Sequence, residues 1–188
     1  METDRNSTAK QKPPRHQFES LIFFAALSLF LSTLEYLFPK PIPFFRIGLS
    51  NLPLLLALDI FPLRMVLFLA FLKVAGQGLV NGTLSSYVFL FSLTGTAAGT
   101  AAMLLIRSTC RKYISLLGTS LFGALCSNLI QVFLAVTFIF GESAWVIAPL
   151  LLGLGLAGGS VVGIFAQRFS TKSSWYKKIR EYYAADTL

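Results

Sequence analysis

Charge is scarce in this chain of 188 residues: Asp, Glu, Lys and Arg together make 13% of it, against 55% apolar residues. That balance argues against an ordinary soluble domain, where about a quarter of residues are charged, and a mean hydropathy of +0.69 points to the bilayer. Histidine is present only as His16 and cysteine only as Cys110 and Cys126, too few and too dispersed for a metal site or a disulfide framework. Aspartate is limited to Asp4, Asp59 and Asp186, never as a pair, whereas holding Mg²⁺ against a diphosphate needs converging carboxylates. A phosphate-cradling glycine loop of the P-loop kind and a Ser, His and Asp set are missing as well. These absences lead us to expect no catalysis by this chain alone, no cofactor and no metal.

What the sequence has is long apolar runs. A spanning helix takes roughly 20 apolar residues, and we read an all-α integral membrane protein built as a bundle of six transmembrane helices. A basic cytosolic tail, 1–17, precedes a membrane domain, 18–169, and an amphipathic basic and aromatic tail, 170–188, follows it. Helix 1 runs from Phe18 to Phe38, too long for a signal-peptide core. Pro39, Pro41 and Pro43 then exclude a helix interior and open a loop, Pro39 to Asn51. Helix 2, Leu52 to Phe61, is shorter than a full span. Helix 3 covers Pro62 to Val80, helix 4 Leu84 to Ile106, helix 5 Tyr113 to Phe140 and helix 6 Trp145 to Phe169.

The basic residues test this arrangement. With the N-terminus inside, the two tails and the turns holding Arg64, Arg107, Arg111 and Lys112 are all cytoplasmic, and only Lys40 and Arg46 fall outside. Short cytoplasmic loops carry the Lys and Arg excess, so we expect a multi-pass protein of the cytoplasmic membrane with both termini cytoplasmic. The net charge of +8 then faces anionic lipid rather than nucleic acid. Trp175, Tyr176, Ile179 and Tyr183 share a face opposite Lys177, Lys178 and Arg180, the pattern of an interfacial amphipathic helix; a frayed tail with aromatic anchors is the alternative.

Lys73, Gln77 and Asn81 stand at i, i+4 and i+8 in helix 3 and therefore stack on one face. A lysine in lipid costs several kcal/mol unless it meets a partner or a polar cavity, so this stripe reads as the lining of an internal site. Asn128 and Gln131, at i and i+3 on helix 5, are placed to face it, either as ligand contacts or as interhelical hydrogen bonds. Glu35, near the outer end of helix 1, is a candidate counter-charge for Lys73 or Arg46, and a purely structural Lys73–Glu35 pair is the alternative to a binding role. Asp59 and Arg64 read as a solvated turn pair. Gly95 and Gly99, and Gly155, Gly159 and Gly163, repeat every four residues, the spacing that lets membrane helices approach closely.

The runs PIPFFRIGLSN, FLKVAGQGLVNGTLSSYVFLFSLTGTAAGTAAM and LFGALCSNLIQ resemble the heptaprenyl diphosphate synthase component I family, also called the Gx transporter family, over roughly Ala25 to Arg168. That family is similar in turn to the six-helix S components of energy-coupling factor (ECF) transporters. The resemblance implies a bundle that binds a small-molecule substrate, capped by the Pro39 to Asn51 loop and energised by an ECF transmembrane subunit with two ATPases. Asn51, Lys73, Gln77, Asn128 and Gln131 match the family's polar positions. Lys73 stands where the family often carries Arg, and Ser127 where it often carries His. Ser28 and Ser32 stand where S components use alanines to dock their partner, and are the candidate subunit contact.

On this reading Lys73 pairs with an anionic group, and Asn51, Gln77, Asn81, Asn128 and Gln131 bond polar edges. Phe44 and Phe45 close over the ligand with Glu35 and Arg46 nearby. The function expected is uptake of a small, anionic organic molecule. The alternative is a noncatalytic membrane partner of a heptaprenyl diphosphate synthase or another quinone or isoprenoid pathway enzyme, and a small permease working alone is a third.

Overall fold

The computed structural model describes residues 14–37, 48–110 and 113–184, the side chains at 14–17, 36 and 184 excepted. The described elements are helical throughout: α1 (Pro14–Leu37), a 3-10 turn (Leu49–Asn51), α2 (Leu52–Ala57), α3 (Leu63–Val80), α4 (Tyr87–Cys110), α5 (Leu116–Ala135), α6 (Ala144–Lys172) and α7 (Ser174–Ala184). Helix α1 starts four residues before the expected Phe18, with Pro14 in a first-turn position that suits its fixed φ and missing N–H.

Four stretches are long and apolar enough to cross a membrane: Phe18–Glu35, Leu63–Val80, Tyr87–Cys110 and the 57 residues Leu116–Lys172. The last is folded double. A π turn (Val136–Phe140) and a 3-10 turn (Gly141–Ser143) separate α5 from α6, and Gly141 at φ 55° turns the chain between them.

The expected second span is the main correction. Helix α2 has six residues, about 9 Å at the α-helical rise, and cannot cross a hydrocarbon core of about 30 Å. The segment around it nevertheless returns along α1. Gly48 N–H donates to Glu35 at 2.8 Å near one end of α1, and Phe61 packs on Phe24 at 5.6 Å between ring centroids towards the other. Pro53 through Ala57 are all buried. Broken helix is tolerated in a membrane protein where protein rather than lipid covers it, and this segment is packed inside the bundle.

Both described ends of the chain meet at one end of the bundle. Tyr183 OH lies 3.2 Å from Ser20 Oγ, and Trp175 packs on Phe23 at 5.8 Å. The apolar face of α7 seats on the bundle itself: Tyr176 is fully buried and donates to the Leu56 carbonyl at 3.0 Å. At the same end Arg107 grips Asp59 through Nε and Nη2, at 2.6 to 2.9 Å, while Nη1 donates to the Ile114 carbonyl at 3.1 Å. Asp59 is thus tied to α4, 48 residues away, and Arg64, its expected partner, is exposed.

The bundle packs in two ways. Around α1, α2, α3 and α7 large side chains interlock, among them Leu21, Phe24, Leu54, Leu69 and Tyr176. Helices α4, α5 and α6 instead approach through glycine. A Cβ at Gly99 would meet the Gly123 carbonyl at 3.0 Å, and one at Gly163 would meet Leu117 Cα at 2.9 Å. Lipid gives no hydrophobic drive for helix pairing, so such close contact supplies the attraction. The glycine faces are satisfied within this one chain.

Candidate functional site

A polar cavity lies where these two halves meet. Its walls come from the Gly48–Asn51 turn, α2, α3, α4, α5 and α6, and its volume is about 60 Å³. A water needs about 10–15 Å³ measured this way, so the cavity holds a few waters and is far below the 300–1,000 Å³ of typical ligand sites.

Lys73 is the charged group on the wall among the described residues, 3% exposed, on the inward face of α3. Its ammonium donates to Asn51 Oδ1. Asn51 is held in place by its turn: its N–H donates to the Gly48 carbonyl at 2.8 Å, and Gly48 adopts φ 88°, a left-handed conformation that favours glycine. Glu35 then fastens the turn to α1, with Oε1 accepting from Gly48 N–H. Its other oxygen, Oε2, is buried with no hydrogen-bond partner among the described residues.

Asn128 and Gln131 reach the cavity from α5. Both amides rest in notches left by glycine: a Cβ on Gly155 would lie 1.5 Å from Asn128 Nδ2, and one on Gly95 would lie 2.4 Å from Gln131 Nε2. Gln131 Nε2 also points to Ser127 Oγ at 3.5 Å. Thr100 supplies the least expected group. Its hydroxyl is on the cavity wall, the residue is 1% exposed, and the oxygen has no hydrogen-bond partner among the described residues. A buried hydroxyl left unmatched costs about 1–3 kcal/mol, which a water or ligand bonded there would offset.

The sequence-predicted residues therefore divide. Lys73, Asn51, Asn128 and Gln131 converge on the cavity. Gln77 is buried next to it but not on its wall, and accepts from Ser92 Oγ at 3.4 Å. Asn81 is not on the wall either, because α3 stops first: Gly82 takes φ 63° and Thr83 N–H closes back on the Gly78 carbonyl at 2.9 Å, a glycine-terminated helix end. Glu35 serves the turn. Ser28 and Ser32, expected to offer a face to another subunit, are 0% and 2% exposed inside the monomer, so α1 carries no free serine groove. Phe44, Phe45 and Arg46, with most of the expected cap, lie outside the described residues.

Sequence reasoning missed Thr100, together with Ser92, Thr96 and Ser120 on the same wall. A hydroxyl in a membrane helix commonly bonds its own carbonyl four residues back, as Thr94 does to Leu90 at 2.7 Å. Only the spacing of Thr96 and Thr100 beside Gly95 and Gly99 marked them out.

The chemistry on the wall, among the described residues, is one ammonium, several amides and several hydroxyls, with no carboxylate. It can bind and orient a small polar molecule. No curated protein and no solved structure matches the chain significantly. A family model for heptaprenyl diphosphate synthase component I matches residues 24–169, the region that holds every described wall of the cavity. The chain belongs to the heptaprenyl diphosphate synthase component I family.

Proposed function

We propose that this protein is a noncatalytic membrane subunit that holds a small organic anion against Lys73. One observation carries the reading: a lysine 3% exposed, set among amides and hydroxyls on a cavity wall inside a bundle of membrane-crossing helices. A structural lysine needs only a partner, whereas this wall adds the unmatched Thr100 hydroxyl and two amides held in glycine notches. The absence of carboxylates from the wall argues against Mg²⁺-dependent diphosphate chemistry there.

The family description favours service to a synthase, since a component I implies a further component. On that assignment the chain is the membrane partner of a prenyl diphosphate synthase and its ligand is a small molecule of that pathway. Uptake of the anion, energised by an ECF transmembrane subunit and its ATPases, is the second assignment, and the buried cavity at membrane depth favours it. Either way we place the protein in the cytoplasmic membrane with both termini cytosolic. The gathering of Arg64, Arg107, Lys172, Lys177 and Arg180 at the end shared by α1 and α7 supports that orientation.

Native mass spectrometry of the gently solubilised protein and of Lys73→Gln tests the proposal. We expect a co-purifying small molecule that is lost in the variant. A synthase subunit retained beside it selects the first assignment, and an ECF module the second. A wild-type protein with no small molecule, and unchanged by Lys73→Gln, makes Lys73 structural and refutes the reading.

A further inference from the structure

A second concavity, of about 690 Å³, lies at the end of the bundle where α7 docks. It is far larger than the Lys73 cavity, and no sequence motif pointed to it. Its floor is the Arg107–Asp59 pair, and its sides are the Ile114–Leu116 turn, the end of α6 and one face of α7.

The cations on this rim are held in position. Tyr176 and Tyr183 are 0% and 5% exposed and anchor α7 to the bundle, which turns Lys177, Arg180 and Glu181, at i, i+3 and i+4, towards the groove. Lys178, one residue on, is exposed but is not on the wall. Arg107 is occupied by Asp59 and Ile114, so among the described residues of the wall Lys177 and Arg180 carry the available positive charge, set against Glu181. Around them sit neutral donors: the Ser115 hydroxyl, whose oxygen already accepts from Gly118 N–H at 3.2 Å, and the Gln167 amide, whose oxygen accepts from Leu116 N–H at 3.0 Å. Each still has an N–H or O–H to donate towards the groove. Two cations beside a hydroxyl and an amide that can donate, at the interfacial end of a membrane bundle, suit an anion rich in acceptor oxygens.

We propose that this groove binds a phosphate group, carried either by an anionic lipid head or by a soluble phosphate compound. The site is separate from the Lys73 cavity and stands or falls independently of it. The test uses the full chain as wild type, the double variant Lys177→Gln/Arg180→Gln, and Lys178→Gln as a matched surface change. Two probes distinguish the sources: titration with inorganic pyrophosphate in detergent, and retention of phosphatidylglycerol over phosphatidylcholine from mixed nanodiscs.

We expect one probe to bind wild type and Lys178→Gln alike and to lose at least about tenfold in the double variant, the scale of one charge-assisted contact. Pyrophosphate binding names a soluble ligand, and selective phosphatidylglycerol retention names a lipid. Glu181→Gln, which removes an opposing charge from the α7 face of the groove, should tighten the same probe, and this result does not depend on the double variant folding. Binding of neither probe by wild type, or equal losses in Lys178→Gln and the double variant, overturns the proposal.

Discussion

Three glycines of α6 provide a graded test of how the bundle packs and where the site opens. Gly153, Gly155 and Gly163 occupy one helix but face different neighbours. A Cβ at Gly153 meets nothing within 4 Å; one at Gly155 falls 1.5 Å from Asn128 Nδ2 and 2.6 Å from Asn128 Cγ; one at Gly163 falls 2.9 Å from Leu117 Cα. Alanine at Gly153 should therefore be neutral or stabilising, by up to about 1 kcal/mol from helix propensity. Alanine at Gly163 meets backbone, which cannot turn away, so α5 and α6 must separate; overpacking of this kind costs about 1–3 kcal/mol. Gly155→Ala is the informative case. The obstructing atoms are the end of a flexible side chain, which must retreat by about 2 Å to reach ordinary contact near 3.5–4 Å. A χ rotation achieves that without moving a helix, so the cost should be well below that of Gly163→Ala. The displaced amide leaves its notch and enters the cavity, so ligand binding should change more than stability does. Thermal unfolding in one detergent, with ligand retention by native mass spectrometry, reads both quantities. Equal destabilisation by Gly155→Ala and Gly163→Ala, or a loss at Gly153→Ala as large as theirs, would refute the packing argument.

Thr100→Val replaces the unmatched hydroxyl with a methyl of similar shape; the ligand-free protein should melt at the same temperature or higher, while ligand retention falls. Tyr176→Phe removes the hydrogen bond to Leu56 O and leaves that buried carbonyl unmatched, so stability should fall by about 1–3 kcal/mol, and limited proteolysis should release the segment beyond Lys172 first. Asp59→Ala strands the Arg107 guanidinium, whose side chain is only 13% exposed, and should cost about 3–5 kcal/mol; the further change Arg107→Met should recover most of it, and a double variant no better than Asp59→Ala would show that the pair is not what matters.

How far the sequence could be read depended on the kind of signal. Helix α3 was legible nearly to the residue, because Pro62 marks its start and Asn81-Gly82 its end. Lys73 was legible because a charge inside an apolar run has few explanations. The place of α2 was not: its shortness was visible, but that a broken segment could be packed inside the bundle depends on contacts with α1, α6 and α7 far away in the chain. The partner of Asp59 was missed for the same reason, since Arg64 is near in sequence while Arg107 is near in space. The α7 face shows the limit of amphipathicity, which says that an apolar face must be covered but not whether lipid or the protein's own bundle covers it.

The glycine faces and the cavity are two results of one physical constraint. In lipid, apolar side chains gain little by leaving the solvent, so α4, α5 and α6 hold together through close backbone approach, and each glycine that permits it also leaves a notch. Where the opposing residue is small, as at Gly99 against Gly123, the notch is filled by backbone. Where it is an amide, as at Gly155 and Gly95, the notch holds a polar group that a flexible side chain can withdraw. The tight contacts of the structural half and the adjustable wall of the site thus use the same residue type on the same helices, and which role a glycine plays is decided by the side chain across from it. Enlarging the notch by shortening the amide is accordingly a different perturbation from filling it: Asn128→Ala should leave α5 and α6 at their present spacing, cost little in melting temperature, and widen the cavity. A large drop in melting temperature on Asn128→Ala would instead make the amide a structural fastener and remove it from the binding wall.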